Sequence, residues 1–428
     1  MSFFARSVCI LSSALMTVSC ADMSGVSTAS QFVPAGCATG LYRSDDKAFV
    51  VITKSGDGFR YMFSNGSGGA IQDQDKTIVC GADVVRLEIG DIWPKAHLIE
   101  TNTQFQSKGA QLAGRLIEAP DADGTTPLIL YAHGSEPLGW IDRARDPYQM
   151  VGRGVSVFVY DKRGTGMSEG EYSQNFPELA DDLVAASAEA KKLAEGRFGR
   201  FGLFGLSQGG WIAPLAAQRV DAEFIGIGYG LVVDIREEDA SQVEKELRDA
   251  GYGDAEVAKA KIITDATGKI AASGYQEGLE EMDAARRKFG AEPWYQLVKG
   301  GFTGVLLGMS TDDLRENGIP HFDRLNIDWT LDPVEVLGKV TVPQLWALAG
   351  EDREAPVDLT IRRLKALREQ GQDISIYLFP KTDHGMWEYT EVAGGKRERT
   401  RITSGYYDLM ADWAKGELAD EYGSASQE

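Results

Sequence analysis

The sequence predicts an α/β protein with a mainly parallel sheet, a helical insertion and a small N-terminal β module. From about residue 110 onward, short apolar runs alternate with helical segments. The alternation breaks between residues 231 and 331, and a β-rich segment over 37–100 precedes the alternating part. Continuous apolar strands separated by helices are typical of a parallel sheet that is covered on both faces.

Seven apolar runs are the candidate strands of this sheet. Between two of them, the segment FPELADDLVAASAEAKKLAEG has the spacing of an amphipathic helix. The core is therefore expected over residues 101–230 and 332–418, with a polar tail over 419–428. The candidate strands are QLAGRLIEA, PLILYAH, VSVFVYD, RFGLFGLS, FIGIGYG, PQLWALAGE and SIYLFP.

The segment over 231–331 is charged and helix-rich, and it separates two strands of the sheet. An insertion at the end where strands finish is positioned to act as a lid over a binding crevice. A purely structural helical excursion is the alternative. If the segment is a lid, its aromatic residues could line an apolar pocket: Trp294, Tyr295, Phe302, Phe322 and Trp329.

The segment over 37–100 begins with a predicted hairpin, because two β-rich runs flank a Gly-Asp-Gly turn at residues 56–58. Of the four cysteines, Cys9 and Cys20 lie near the N-terminus, which leaves Cys37 and Cys80. An isolated cysteine pair in an oxidising compartment predicts a disulfide. This bridge would close the β module.

The first twenty residues have the pattern of an export signal. Arg6 is followed by an apolar run over 8–18 that is too short to span a bilayer, and a small-residue linker follows over 21–36. Residues 17–20, Thr-Val-Ser-Cys, resemble the lipobox of bacterial lipoproteins, which implies lipidation of Cys20 and a membrane tether. Simple cleavage is the alternative. The expected location is periplasmic, as an anchored lipoprotein, or secreted.

The composition disfavours several classes of partner. The net charge is −20, from 44 basic and 64 acidic residues, which argues against nucleic acid or an anionic membrane surface. The sequence contains no Cys-x-x-Cys motif or Cys/His cluster, so a structural zinc site is not expected. No metal ion and no cofactor are expected. The oligomeric state is not indicated.

A serine stands among glycines in the run LFGLSQGGWI, at the end of a predicted strand. The pattern Gly205-Leu206-Ser207-Gln208-Gly209 predicts a nucleophile elbow, in which glycines allow a strand to pass sharply into a helix. Ser207 would project its hydroxyl from the edge of the sheet. The N–H of Gln208, at the start of the helix, would face developing negative charge.

A serine nucleophile needs a base, and the base needs an orienting acid. His384 follows the last predicted strand and precedes a C-terminal helix, so its loop can reach the carboxyl edge of the sheet. Asp352, in the loop after the preceding strand, is the predicted acid and Glu351 is its rival. Asp332 and Asp383 are weaker alternatives.

With Ser207, Asp352 and His384 in this order, the chain resembles the α/β-hydrolases over about residues 110 to 415. YAHGSEPLG is similar to their His-Gly loop, and YDKRGTGMSEG is similar to their Asp-x-Arg-Gly-x-Gly-x-Ser turn. The resemblance implies that the first loop completes an oxyanion hole through the N–H of Ser135, with His133 orienting the loop. For the Asp-x-Arg-Gly-x-Gly-x-Ser turn, the resemblance implies a mainly structural role.

The leading hypothesis is an exported serine hydrolase, similar to esterases and lipases, that cleaves carboxylic esters of small molecules through an acyl-enzyme. A peptidase related to the prolyl oligopeptidases is an alternative, although 80 to 100 β-rich residues cannot build their propeller. An acyltransferase or thioesterase is a further alternative. A binding protein on a hydrolase scaffold is the non-enzymatic one.

Overall fold

The computed structural model describes residues 36–44, 48–72, 77–322, 325–393 and 395–428, except for the side chains of 319–322. The expected export signal over 1–20, including Cys20, lies outside the described residues, as does most of the linker over 21–36. Within the described ranges, no helix is both long enough and apolar enough to cross a membrane.

The described chain begins with strands and then alternates strands with helices. In chain order the strands are β1 (Gly40–Arg43), β2 (Phe49–Ser55), β3 (Gly58–Phe63), β4 (Gly68–Ile71), β5 (Ile78–Cys80), β6 (Val84–Leu87), β7 (Ile92–Pro94), β8 (Ile99–Ser107), β9 (Ala110–Glu118), β10 (Leu128–Ala132), β11 (Ser156–Tyr160), β12 (Phe201–Leu206), β13 (Phe224–Gly228), β14 (Gln344–Ala349), β15 (Ile374–Phe379), β16 (Trp387–Val392), β17 (Lys396–Ile402) and β18 (Ser426–Gln427). The helices are α1 (Asp146–Val151), α2 (Phe176–Leu193), α3 (Gly209–Ala217), α4 (Ile235–Asp249), α5 (Asp254–Ala272), α6 (Leu279–Phe289), α7 (Thr303–Gly308), α8 (Thr311–Phe322), α9 (Pro333–Leu337), α10 (Val357–Glu369) and α11 (Tyr406–Lys415), with a 3₁₀ turn over Pro293–Leu297.

Among the described residues, the largest sheet has nine strands in the order β18-β15-β14-β13-β12-β10-β11-β9-β8. Strands β10 to β15 run parallel to one another, and β8, β9 and β18 are antiparallel to their neighbours. The seven predicted runs correspond to β9 to β15, so the mainly parallel sheet is confirmed. Because β11 and β12 lie on opposite sides of β10, the strand order reverses there and opens a crevice at the carboxyl ends of the strands.

The sheet separates two apolar cores. Along β12, Leu203 packs on the face covered by α2, α3 and α10, and Phe204 packs on the face covered by α1 and α11. Every residue of β12 is buried. Burial on both faces explains why these strands are apolar throughout and lack an alternating pattern.

Helix α2 forms where its spacing predicts it. The side chain of Asn175 caps the helix by accepting a hydrogen bond from the N–H of Glu178 at 3.0 Å. Leu179, Leu183 and Ala186 form its buried stripe against the sheet. The helix thereby covers the face of the sheet next to the predicted elbow.

The insertion between β13 and β14 is helical, as expected, and comprises α4 to α8; we call residues 231–331 the cap. Helix α4 begins with a capping box formed by Asp234 and Glu237. The cap has small apolar cores of its own, one around Ile270 and Met282 and another around Trp294. It therefore has internal packing as well as contacts with the sheet.

The N-terminal module consists of two antiparallel sheets in the orders β1-β2-β3-β4 and β5-β6-β7. The predicted hairpin is β2 and β3, and the predicted disulfide joins Cys37 to Cys80. Phe49 and Met62 of this module pack with the core that contains α1 and α11. The module thus covers one face of the main sheet.

Several strands of the structure do not correspond to any of the seven predicted apolar runs. Strand β8, IETNTQFQS, is polar except for Ile99 and Phe105, and only Phe105 and Ser107 of this strand are buried. Strands β16 and β17 form a hairpin between His384 and α11. The segment over 419–428, expected as a polar tail, adds β18 to the sheet by pairing with β15.

Candidate active site

Ser207 lies at a sharp turn between β12 and α3. Its backbone has φ of +52°, a left-handed conformation that side chains other than glycine rarely adopt. A Cβ atom on Gly205 would lie 2.2 Å from the carbonyl oxygen of Gly209, and one on Gly209 would lie 2.0 Å from that of Ala132. Only glycine fits at both positions, which is the steric reason for the glycine pattern around this serine.

The side chains predicted to act together do meet at this turn. The Nε2 atom of His384 lies 3.0 Å from the Oγ of Ser207, and its Nδ1 lies 2.9 Å from an oxygen of Asp352. Asp352 follows β14 and is buried, and its second oxygen accepts the N–H groups of Glu354 and Ala355 at 2.8 and 3.0 Å. These bonds hold one carboxylate oxygen toward the imidazole.

The other candidate acids face different partners. Glu351 accepts hydrogen bonds from Tyr389 and Arg397 at 2.7 and 3.0 Å. Asp383 accepts backbone N–H groups of the same loops, and Asp332 caps α9. Of the four carboxylates considered from the sequence, Asp352, the preferred candidate, is the one hydrogen-bonded to Nδ1 of His384.

Several carboxylates surround the imidazole of His384. Glu354 places an oxygen 3.5 Å from Nε2, on the side that faces Ser207. Burial alone would lower the pKa of His384, but the charge and hydrogen bond of Asp352, with smaller contributions from Glu354 and Glu238, raise it to about 9. The surroundings therefore favour the imidazolium, which is the form a general base takes after it has accepted a proton.

The two predicted oxyanion donors lie beside Ser207. Gln208 and Ser135 line the same cavity as the serine. Within the described ranges, neither backbone N–H has a hydrogen-bond acceptor. Gln208 directly precedes α3, where backbone N–H groups and the helix dipole favour negative charge. Two residues whose backbone N–H groups are unoccupied thus line the cavity beside Ser207.

The His-Gly loop after β10 is held by its own side chains. His133 is buried, stacks on Trp140 with ring centres 4.8 Å apart, and bonds Glu136 through Nδ1 at 3.1 Å. Burial lowers the pKa of His133, which favours the neutral imidazole, although Glu136 opposes the shift. Asp161, from the predicted second turn, accepts the backbone N–H groups of Trp140 and Ile141. His133 therefore orients the loop, and the second turn braces it.

A cavity of about 330 Å³ opens beside Ser207. Of the cap aromatics predicted to line a pocket, Phe302 and Trp329 do so, in edge contact with ring centres 5.0 Å apart. Trp294 instead lies in the core of the cap, where Tyr295 packs against it. The side chain of Phe322 is outside the described residues. The apolar wall comes from both core and cap: Phe176, Trp211, Ile235, Phe302, Leu325, Ile327 and Trp329.

Glu238 is a polar residue of this cavity that the sequence reasoning missed. Among the described residues its carboxylate has no hydrogen-bond or ion-pair partner, whereas neighbouring Asp239 is bound by the backbone and hydroxyl of Thr303. Burial raises the pKa of Glu238 to about 8, with His384 opposing the shift. The missed signal is its spacing, since Ile235, Glu238, Asp239 and Gln242 recur at helical intervals on one face of α4.

Tyr229 is a second residue that sequence reasoning missed. It follows β13, and its ring meets that of His384 edge-on, with centres 5.1 Å apart. Its φ is +42°, a conformation uncommon for an aromatic residue. The tyrosine supports the imidazole from the side of the sheet, and no sequence motif marks it.

Comparisons with known proteins give one family match and several similar solved structures. Residues 128–232 match the family described as serine aminopeptidase, S33. No curated protein matches the chain. Among solved structures the chain is similar to an esterase from Pyrococcus furiosus, with 13% identity, 67% of this chain and 85% of the other covered, and a TM-score of 0.42. It is also similar to an acylaminoacyl peptidase from Pyrococcus horikoshii, with 15% identity, 90% and 54% covered, and a TM-score of 0.45.

The residues that match the family model form the centre of the sheet and carry Ser207 of the candidate site. The matched residues run from β10 through the elbow and β13 to the start of the cap. They therefore include the reversal of strand order, the serine turn and the His-Gly loop, which are the parts of the sheet that build a site. The sequence match and the nine-stranded sheet together identify this chain as an enzyme of the α/β-hydrolase type.

Proposed function

We propose that this enzyme hydrolyses carboxylic esters through an acyl-enzyme on Ser207. The observation that carries the proposal is the unbroken hydrogen-bonded series from the serine hydroxyl through His384 to Asp352, with distances of 3.0 and 2.9 Å. Such a series activates a hydroxyl that is otherwise a weak nucleophile. The strained serine turn and the two free N–H groups beside it support the same chemistry.

In the proposed acylation, Ser207 Oγ attacks the ester carbonyl carbon while Nε2 of His384 takes the hydroxyl proton. The carbonyl oxygen becomes an oxyanion that accepts the N–H groups of Gln208 and Ser135, and each such donor stabilises the transition state by roughly 3 kcal/mol. Collapse of the intermediate breaks the bond to the alcohol oxygen, which receives the proton from His384. Water then repeats the sequence on the acyl-enzyme and releases the acid.

The cavity supports small to medium acyl or alcohol groups. Its volume of about 330 Å³ and its wall of Trp211, Phe302 and Trp329 suit an apolar group, and none of the described residues that line it is Lys or Arg. We therefore expect neutral esters to react faster than anionic ones.

Labelling and turnover test the assignment together. A fluorophosphonate should modify Ser207, located by mass spectrometry of the digested protein, and the Ser207→Ala variant should not be labelled. A panel of p-nitrophenyl esters of increasing acyl length should then show turnover that Ser207→Ala and His384→Ala both lose. Labelling of a different serine, or wild-type turnover in either variant, would contradict the proposal.

An aminopeptidase is a second candidate that one observation favours. Glu238 presents a carboxyl group with no partner among the described residues to the cavity. An α-ammonium on the acyl group of a substrate would favour its ionised form and could donate to it. The matched family is described as serine aminopeptidase. Comparison of kcat/KM for ester and anilide substrates with the same acyl group, each with and without a free α-amine, separates the two functions. Preference for the free-amine anilide, lost in Glu238→Gln, would replace the esterase by the aminopeptidase.

We further propose that the chain is exported, either as a lipoprotein anchored through Cys20 or as a soluble periplasmic or secreted enzyme. The apolar run over 8–18 and the lipobox-like residues 17–20 support export, and the Cys37–Cys80 disulfide fits an oxidising compartment. Intact-mass analysis of protein from the native cell decides between a diacylglyceryl group on Cys20 and simple cleavage. A mature protein that retains residues 1–19 would contradict export.

A further inference from the structure

A buried lysine contacts the backbone of the loop that carries one proposed oxyanion donor. Lys162 follows β11, in the turn that resemblance marks as mainly structural, and it is 1% exposed. Its Nζ donates a hydrogen bond of 2.5 Å to the carbonyl oxygen of Gly134. The contact joins a charged side chain to the His-Gly loop at the residue before Ser135.

The geometry of a peptide bond makes this contact relevant to the reaction. The carbonyl of Gly134 and the N–H of Ser135 belong to one planar peptide group and point in opposite directions. Gly134 lies against the nucleophile, since a Cβ atom on it would be 3.5 Å from the Cβ of Ser207. A hydrogen bond that fixes the orientation of the Gly134 carbonyl therefore also fixes the direction of the Ser135 N–H.

The next peptide of the loop is held by a different side chain. The hydroxyl of Tyr172 donates to the carbonyl of Ser135, whose peptide carries the N–H of Glu136. The ring of Tyr172 also lies 5.3 Å from the ammonium of Lys162, within cation–π distance. Two neighbouring peptides are thus anchored separately, and only the one held by Lys162 contains a proposed donor.

Burial of the Lys162 ammonium has a free-energy cost, which the carboxylate of Glu136 partly offsets. A cation at the carbonyl end of an amide also polarises that amide and strengthens its N–H as a donor. Burial lowers the pKa of Lys162 to about 8, and Glu136 opposes the shift. The charged and titratable groups that interact with it are Glu136 and His133 from the loop and Tyr172 from the following segment. Its sequence neighbours Asp161 and Arg163 are bound by the loop backbone and by Asp182, respectively.

We propose that Lys162 is a positioning residue for the oxyanion site, which aims and polarises the N–H of Ser135 through the carbonyl of Gly134. The inference rests on the proposed acyl-enzyme chemistry, because the donor has a role only if an oxyanion forms beside Ser207. Its contribution belongs to the transition state and not to substrate binding.

Substitution of Lys162 by Met, which keeps an apolar chain of similar length, is the direct test. We expect kcat for a p-nitrophenyl ester to fall about tenfold to a hundredfold, somewhat less than for loss of an oxyanion donor itself. KM should stay within about threefold of wild type, since the effect belongs to the transition state. A trifluoromethyl ketone, which forms a tetrahedral oxyanion on the serine, should lose affinity by a similar factor.

Tyr172→Phe is the matched control, because it removes the hydrogen bond to the adjacent peptide and keeps the ring beside Lys162. Its kcat should stay within about threefold of wild type. Wild-type kcat in Lys162→Met, or an equal loss in both variants, would overturn the inference. If Lys162→Met does not fold, Lys162→Gln takes its place, because it removes the charge and shortens the side chain that reaches the carbonyl of Gly134. A wild-type kcat in that variant overturns the inference.

The Ser207→Ala variant distinguishes failure of the proposed acyl-enzyme from failure of the role proposed for Lys162. If this variant retains ester turnover, the proposed acyl-enzyme fails, whatever Lys162 does. If Ser207→Ala is inactive and Lys162→Met is fully active, only the role of the lysine fails.

Discussion

Substitution of Glu354 by Gln should shift the pH dependence of the enzyme toward acid. The carboxylate lies 3.5 Å from Nε2 of His384 and its side chain is 58% exposed, so its charge acts through a largely aqueous medium. At that distance in water, two unit charges interact by about 1.2 kcal/mol, which corresponds to about 0.9 of a pKa unit. Removal of the charge therefore lowers the pKa of His384 from its raised value of about 9.

The direction of the effect on activity follows from the role of the imidazole. Only neutral His384 can accept the serine proton, and below its pKa the neutral fraction grows tenfold for each pH unit. Lowering that pKa by about 0.9 unit should raise kcat/KM near pH 7 by roughly sevenfold at low salt, where the charge is least screened. The gain should disappear well above pH 9, where the imidazole is neutral in both proteins.

The assay is kcat/KM for a neutral p-nitrophenyl ester between about pH 5.5 and 9.5. Glu351→Gln is the matched control, since that neighbouring carboxylate is bound by Tyr389 and Arg397 and does not contact the imidazole. Its acid limb should coincide with that of the wild type. An unmoved or alkaline-shifted limb in Glu354→Gln would refute the electrostatic reasoning.

Three further outcomes follow from the same contacts. Asp352→Asn should lower kcat by about four orders of magnitude, because the imidazole loses its orienting acceptor; a loss confined to Glu351→Gln would reassign the acid. Gly209→Ala should destabilise the protein by about 1–3 kcal/mol, since its Cβ meets a backbone carbonyl at 2.0 Å. Gly124→Ala, where nothing lies within 4 Å, is its control in thermal unfolding, and equal midpoints would count against the steric argument. Replacement of both Cys37 and Cys80 by Ser should lower the free energy of unfolding by about 4 kcal/mol, as expected for a separation of 43 residues; an unchanged denaturation curve would contradict this.

The strands that carry the site were predictable because they are buried on both faces. β12 has no exposed residue, and an apolar run of that length between turns has few alternatives. β8 and β18 lie at the edges of the sheet, where one face or most of the strand contacts solvent. Their sequences are polar for that reason, and no apolar run marks them.

The choice among neighbouring carboxylates could not be settled from the order of residues. Glu351, Asp352 and Glu354 all follow β14, and the turn conformation decides which one faces the imidazole. In the structure, two backbone N–H groups hold one oxygen of Asp352, and the preceding glutamate is drawn away by Arg397. These are contacts between segments distant in sequence, which local patterns do not encode.

The charged groups around Ser207 favour a transition state with positive charge on His384 and negative charge on the oxyanion. Asp352, Glu354 and Glu238 lie on the side of His384, where the proposed transition state gains a proton and a positive charge. Lys162 bonds the carbonyl of the peptide that carries the N–H of Ser135, where the same transition state gains negative charge. Charges fixed by folding need little reorganisation when the reaction separates charge, which makes such a field more effective than water. On this view the extra carboxylates and the buried lysine act together, because each stabilises one end of the same charge separation.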